Sequence, residues 1–175
     1  MDKGYPSVNK AKRLFIDYLG NSFLMWHEGV LEEYRSFGIG TAQESAWFEE
    51  LKASFLSRLS QGDYSAMGDL WQMGAQDALP NILVVSPVGN SWTKLRFAED
   101  LWRFTNMHTS HPAEPDVIRQ ACKKAIEIWQ DLLHSATDID VPNDVMKIAA
   151  NGRTPHDYFR DRLNSNLNRA SATGI

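Results

Sequence analysis

Two histidines and two carboxylates fall within nine residues near the middle of the chain. They are His108, His111, Glu114 and Asp116. Imidazole nitrogens and carboxylate oxygens are ligands of zinc and other divalent ions. The His-x-x-His spacing lies in a proline-bracketed loop, however, and lacks the fixed geometry of a helical pair four residues apart. We therefore predict no metal site and no cofactor, with His108 and His111 as the candidate ligands to test.

A second pair, Arg103 and His108, is separated by four residues in the segment RFTNMH. These six residues resemble the catalytic motif of HEPN-type ribonucleases, which are helical and need no metal. The resemblance implies that the arginine steadies the phosphate and that the histidine handles the 2′-hydroxyl proton. In-line cleavage needs both proton transfer and charge stabilisation. Because the two side chains would lie about 140° apart on one helix, they would have to converge in a cleft, if need be across a homodimer.

Arg103 also has Glu99 four residues before it, and on a helix the two side chains are placed to form an ion pair. Such a pair, turned away from His108, is the structural alternative to a ribonuclease site.

A third cluster, near the C-terminus, comprises Arg153, His156, Asp157, Arg160 and Arg162. On a helix His156 and Arg160 share a face. Near a helix N-terminus such a face is suited to a phosphate or a carboxylate. The interspersed acidic residues favour the alternative, a solvated helix face.

Six tryptophans are spread over the predicted helices, and most coincide with apolar stripes. Tryptophan also concentrates at binding hot spots. Trp47 and Trp92 lie within a turn of a predicted helix start, which makes them the candidates for surface exposure. We predict a binding surface of Trp47, Trp92, Glu49 and Glu50.

The composition narrows the class of protein. The 175 residues are 43% hydrophobic and carry a net charge of −4, so the chain can build a core and is not a non-specific nucleic-acid binder. Residues 1–88 hold seven basic and eleven acidic side chains, whereas the remainder is balanced at eleven of each. Cys122 is the single cysteine and is predicted to be a buried thiol. We predict a cytoplasmic protein with no membrane segment, because one cysteine cannot form an internal disulfide, no signal peptide is visible and no long apolar run occurs.

Apolar residues repeat at three- and four-residue steps along most of the chain, which predicts helices. These patterns cover about 8–37 (bent or split near Gly20), 41–62, 65–79, 91–107, 115–134, 141–150 and 154–167. A capping box at Thr41 and Glu44 is expected to begin the second helix, and Thr154 to cap the last. Ile82–Val85 is predicted to form a short strand or a buried extended segment.

The predicted fold is therefore all-α: an irregular bundle of about six or seven helices around a buried central helix at 91–107. We predict a single domain over 1–170 and a flexible tail over 171–175. The predicted function is that of a non-catalytic interaction or regulatory module, of the inhibitor or immunity type, whose acidic surface binds a basic protein. The alternative is a metal-independent, HEPN-like ribonuclease that uses Arg103 and His108.

Overall fold

The computed structural model describes residues 5–107, 109–135, 139–149 and 152–172. Those ranges contain ten α-helices, one 3₁₀ turn and no β-strand, so the all-α prediction is confirmed. The ten helices exceed the predicted six or seven because the predicted 8–37 helix is divided into three and a further helix forms at Leu79–Leu83. None of the helices in these ranges is long and apolar enough to cross a membrane.

The described residues form two compact units. The first runs up to Ala78 and includes Thr109–His111, and the second takes in 79–107 and 112–172. The single-domain boundary at residue 170 stays a prediction. The last helix continues through Ala172, and 173–175 lie outside the described residues.

The first unit contains five α-helices and a short 3₁₀ turn. They are α1 (Tyr5–Asp17), α2 (Ser22–His27), α3 (Leu31–Ser36), α4 (Thr41–Ser60), α5 (Ala66–Gln72) and the turn at Gln76–Ala78. In the core the Phe15 ring lies 5.6 Å from Trp47 and 6.4 Å from Tyr34. Aromatic packing of this kind therefore joins α1 to α3 and α4.

The predicted helix over 8–37 is divided into three. Leu19 and Gly20 both have positive φ, at 56° and 66°, and Gly29 has φ 73°. Left-handed backbone cannot continue a right-handed helix, so α1 ends before Leu19 and α2 ends before Gly29. Each break changes the direction in which the following residues point.

The predicted capping box at Thr41 is wrong, because Gly40 is the N-cap of α4 and no side chain caps the helix. Glu44 instead accepts a hydrogen bond from the Tyr34 hydroxyl at 2.7 Å. Burial and this carboxylate raise the pKa of Tyr34 above its ordinary value. At Thr154 the prediction is confirmed, since its Oγ1 accepts from the backbone N–H of Asp157 at 3.1 Å.

The second unit is built on a buried helix. Its elements are α6 (Leu79–Leu83), α7 (Ser91–Thr105), α8 (Pro115–Ser135), α9 (Asn143–Ala149) and α10 (Pro155–Ala172). Helix α7 packs against α8 and α10. Its buried residues are Ser91, Trp92, Leu95, Phe97, Ala98, Leu101 and Phe104. Cys122 on α8 is a buried free thiol, as predicted.

The segment predicted as a strand or extended plug starts in a helix instead. Ile82 lies inside α6 and is fully buried, while Val84 is 82% exposed. Pro80 occupies the first turn of α6, where its missing N–H costs nothing.

The end of α6 is capped by a lysine of α8. The Lys124 ammonium donates to the carbonyls of Leu83 and Val85 at 2.6 and 2.7 Å. Cationic capping therefore stabilises the end of a helix too short to persist alone.

We predict that Gly20→Ala destabilises the protein more than Gly29→Ala. Both positions have positive φ, so each substitution costs about 1 kcal/mol in backbone strain. A Cβ at Gly20 would also lie 2.5 Å from Cζ of the buried Phe15 ring, whereas nothing lies within 4 Å of a Cβ at Gly29. Overpacking should add about 1–3 kcal/mol at Gly20 alone. Chemical denaturation of both variants measures the difference, and equal losses would contradict the clash.

Candidate functional site

Two large aromatic rings are exposed on α2. Phe23 and Trp26 are 64% and 65% exposed. Their ring centroids lie 6.0 Å apart, and Phe23 lies 6.4 Å from His27. We call Phe23, Trp26 and His27 the aromatic surface. Adjacent exposed rings form an apolar patch, and aromatic side chains are enriched at binding hot spots, so this surface is a candidate binding site.

The aromatic surface is held by a fixed N-cap. The Asn21 side-chain oxygen accepts from the N–H groups of Phe23 and Leu24 at 3.0 and 3.2 Å. The Asn21 amide nitrogen donates to the Gln72 carbonyl at 2.8 Å, which ties α2 to the end of α5. Met25, which lies between Phe23 and Trp26 in the sequence, is buried. Helix α2 is therefore anchored on one side, and its two rings are exposed on the other.

Charged side chains follow the aromatic surface along the chain. His27 Nδ1 lies 3.1 Å from Glu28, and Arg35 lies 2.8 Å from Glu32. Glu33 pairs with Lys10. All of these side chains are largely exposed, so solvent screens the pairs and each contributes little to stability.

A cleft in the second unit concentrates arginines. Its volume is about 420 Å³, and it is lined by residues of α7, α8 and α10 and by one residue that precedes α10. We call it the arginine cleft. Its charged lining residues are Arg103, Arg153, Arg162, Arg169, Glu99 and Asp161, and the others are Trp102, Trp129, Tyr158, Ser165 and Asn166.

A buried ion pair joins α7 to α10 at the arginine cleft. Arg162 donates to Glu99 through Nε and Nη2, at 2.5 and 2.7 Å. The carboxylate also accepts from Asn166 at 3.0 Å and from Arg96 at 3.1 Å. With the Glu99 side chain 10% exposed, this bidentate geometry satisfies a charge that would otherwise be costly to bury.

Arg162 is held on its remaining edge and one face. Its Nη1 donates to the Tyr158 hydroxyl at 2.8 Å, and its guanidinium carbon lies 5.3 Å from the Trp92 ring centroid. Burial alone would lower the pKa of Arg162, but the hydrogen bonds to Glu99 and Tyr158 outweigh burial and raise this pKa. Arg162 is therefore a fixed positive charge.

The other arginines of the cleft are held less tightly. Arg153 reaches Asp161 at 3.0 Å through one terminal nitrogen, and Arg103 lies 3.2 Å from Asp100. Arg169 has no ion pair with any residue in the described ranges. Arg153 and Arg169 thus keep guanidinium N–H groups that no ion pair with a described residue uses.

An indole N–H lies unpaired beside the arginine cleft. Trp129 is 1% exposed, and its Nε1 has no hydrogen-bond acceptor among the described residues. The Trp102 ring, which also lines the cleft, lies 5.5 Å from it. A buried donor without an acceptor costs free energy.

The two tryptophans expected at the surface are buried. Trp47 and Trp92 are 4% and 9% exposed, so their predicted exposure is wrong: each packs against another aromatic ring, Phe15 and Tyr158 respectively. Glu49 and Glu50 are exposed, but each carboxylate pairs with a lysine, Lys52 at 2.8 Å and Lys12 at 2.7 Å.

The ribonuclease pair is described only at its arginine. Arg103 lies on the cleft and pairs with Asp100, not with Glu99 as the structural alternative predicted. His108 lies outside the described residues, so its proximity to Arg103 stays a prediction. The His111 ring stacks on Phe48 at 4.2 Å. Across the described ranges no group of three His, Cys, Asp or Glu is placed to hold a metal.

The C-terminal charged cluster is separated by the fold. Arg153 and Arg162 line the arginine cleft, whereas His156 and Arg160 line a smaller cavity of about 120 Å³. Sequence reasoning missed Arg169 as part of the site, although its spacing of seven residues from Arg162 is a signal for one helical face.

Comparisons with protein-family models, with curated proteins and with solved structures find no match to this chain. The class of protein therefore rests on the fold and the two surfaces described above: an all-α helical protein.

We predict that Glu99→Gln lowers the free energy of unfolding by about 2 kcal/mol, because it removes the counter-charge of Arg162, whose side chain is 28% exposed. Glu127→Gln is the matched control, since the Glu127 side chain is 57% exposed and its carboxylate lies 3.8 Å from the Lys123 ammonium. This substitution should change the free energy of unfolding by less than about 0.5 kcal/mol. Urea denaturation at neutral pH measures both. Equal stability of the two variants would contradict a structural role for the ion pair.

Proposed function

We propose that the chain is a non-catalytic protein-interaction module of the inhibitor or immunity type, acting in the cytoplasm. In this proposal the aromatic surface of α2 binds a basic protein. The observation that carries the proposal is the exposure of Phe23 and Trp26, at 64% and 65%, on a helix whose start is fixed by Asn21.

The aromatic surface suits a protein partner because its rings are pre-ordered. Burying a large aromatic side chain removes about 150–250 Å² of surface from water, and aromatic side chains are enriched among binding hot spots. Since Asn21 and Met25 hold α2 in place, little conformational entropy would be lost on binding.

Charge supports a basic partner. The first 78 residues carry seven Lys or Arg and eleven Asp or Glu, a net charge of −4. Glu28, Glu32 and Glu33 follow the aromatic surface within a few residues and are exposed. Acidic side chains beside apolar rings favour a partner that presents lysine or arginine around an apolar centre.

The test uses two synthetic amphipathic helical peptides with the same leucines, one carrying lysines and the other glutamates. We expect the full chain to bind the lysine peptide more tightly, and salt to weaken that binding. Trp26→Ala should weaken it at least about tenfold. The matched control is Val84→Ala, an apolar residue of the second unit that is 82% exposed, which should bind like the natural chain. Calorimetric titration measures all arms.

Equal binding of both peptides, or no effect of Trp26→Ala, would overturn the proposal. Self-association that grows with protein concentration and is lost in Trp26→Ala would instead assign the aromatic surface to a second copy of the chain. Sedimentation velocity distinguishes this homodimer from the proposed complex with a basic protein.

As a second candidate function we propose the metal-independent ribonuclease. It is supported by the position of Arg103 on a cleft that three further arginines line. Incubation with single-stranded RNA in a metal chelator should give cleavage that His108→Ala and Arg103→Ala each lower by about a hundredfold or more. Intact RNA, or cleavage that survives both substitutions, would eliminate this candidate.

A further inference from the structure

We propose that the arginine cleft binds a phosphoryl group, on a surface separate from the aromatic surface and independent of the proposed function. The inference starts from charge that the protein does not itself neutralise. Four guanidiniums, of Arg103, Arg153, Arg162 and Arg169, line the cleft together with two carboxylates, of Glu99 and Asp161. The lining therefore carries an excess of positive charge, which suits an anionic phosphoryl group.

The arginines of the cleft differ in how many of their N–H groups are already used within the protein. Arg162 is fully engaged with Glu99 and Tyr158, so it fixes the geometry and leaves few donors for a ligand. Arg153 uses one terminal nitrogen on Asp161, and Arg169 has no ion pair with a described residue. These two guanidiniums are therefore the principal ligand donors.

The spacing along α10 places five lining residues of the cleft on one helical face. The residues recur at three- and four-residue steps. They are Tyr158, Asp161, Arg162, Ser165 and Arg169. The Ser165 hydroxyl, one turn before Arg169, supplies a neutral donor between the cations.

Two tryptophans supply the apolar part of the lining. Trp102 and Trp129 both line the cleft, and their ring centroids lie 5.5 Å apart. The Trp129 N–H is buried without an acceptor among the described residues. No other buried side-chain N–H of the described residues is unpaired.

The geometry favours phosphate over a single carboxylate. Guanidinium groups present parallel N–H donors that match phosphate oxygens, and a phosphoryl group offers more acceptor oxygens to several arginines than one carboxylate does. The volume of about 420 Å³ exceeds that of an isolated ion. The phosphoryl group could be inorganic phosphate or the ester of a small organic molecule, and both sources share the same recognition chemistry.

Calorimetric titration of the full chain with inorganic phosphate and with a nucleoside monophosphate tests the proposal. We expect saturable binding with one site, and Arg169→Gln should weaken it at least about tenfold because a charge-assisted donor is lost. Arg169→Lys, which keeps the charge, should retain part of the affinity. Arg160→Gln is the matched control, since Arg160 lies on the same helix but lines the smaller cavity; it should not change binding.

A second substitution is expected to strengthen phosphate binding instead of weakening it. Asp161→Asn removes the carboxylate that engages Arg153, so it should tighten phosphate binding several-fold. Tighter binding of the nucleoside monophosphate than of inorganic phosphate would identify an organic ester as the source, and the reverse order would identify the free ion.

The proposal is overturned if neither ligand binds, or if Arg160→Gln weakens binding as much as Arg169→Gln, which would indicate a general charge effect. Binding of single-stranded RNA without binding of either small ligand would also overturn it, and would favour the ribonuclease candidate. The peptide experiment on the aromatic surface is unaffected by any of these outcomes, so the two proposals fail separately.

Discussion

The second unit depends on the bidentate pair between Glu99 of α7 and Arg162 of α10. Glu99 is 10% exposed and accepts four hydrogen bonds, two of them from Arg162. A carboxylate with so little solvent contact is tolerated only where its lone pairs are satisfied. The pair joins α7 to α10 at the arginine cleft, where both helices also pack against α8.

The two surfaces differ in how the fold produces them. The aromatic surface arises from backbone geometry, because the left-handed residues Leu19 and Gly20 end α1 and Asn21 starts α2 in a new direction. The arginine cleft arises from packing between helices. The aromatic surface is therefore set by local conformation, whereas the arginine cleft forms only when the second unit is folded around α7.

Sequence patterns predicted the helices well where a long stripe ran unbroken, as in α4, α7 and α8. They were misleading wherever a short break changed the direction of the chain. Trp26 lies within the predicted 8–37 helix, but the left-handed residues between α1 and α2 change the face on which it lies, and its side chain is exposed. Trp47 and Trp92 were expected at the surface from their nearness to helix starts, yet tertiary contacts with Phe15 and Tyr158 bury them.

The sequence alone determined the all-α class, the burial of the 91–105 segment and the free thiol of Cys122, because hydrophobic periodicity and residue counts are local quantities. The sequence also indicated a cluster of arginines near the C-terminus, but it did not show which arginines line the cleft. Only the tertiary structure placed Arg103 with Arg153, Arg162 and Arg169, and moved Arg160 elsewhere. The physical reason is that side chains distant in sequence come together through helix packing, which depends on many weak contacts at once and is not encoded in any single spacing.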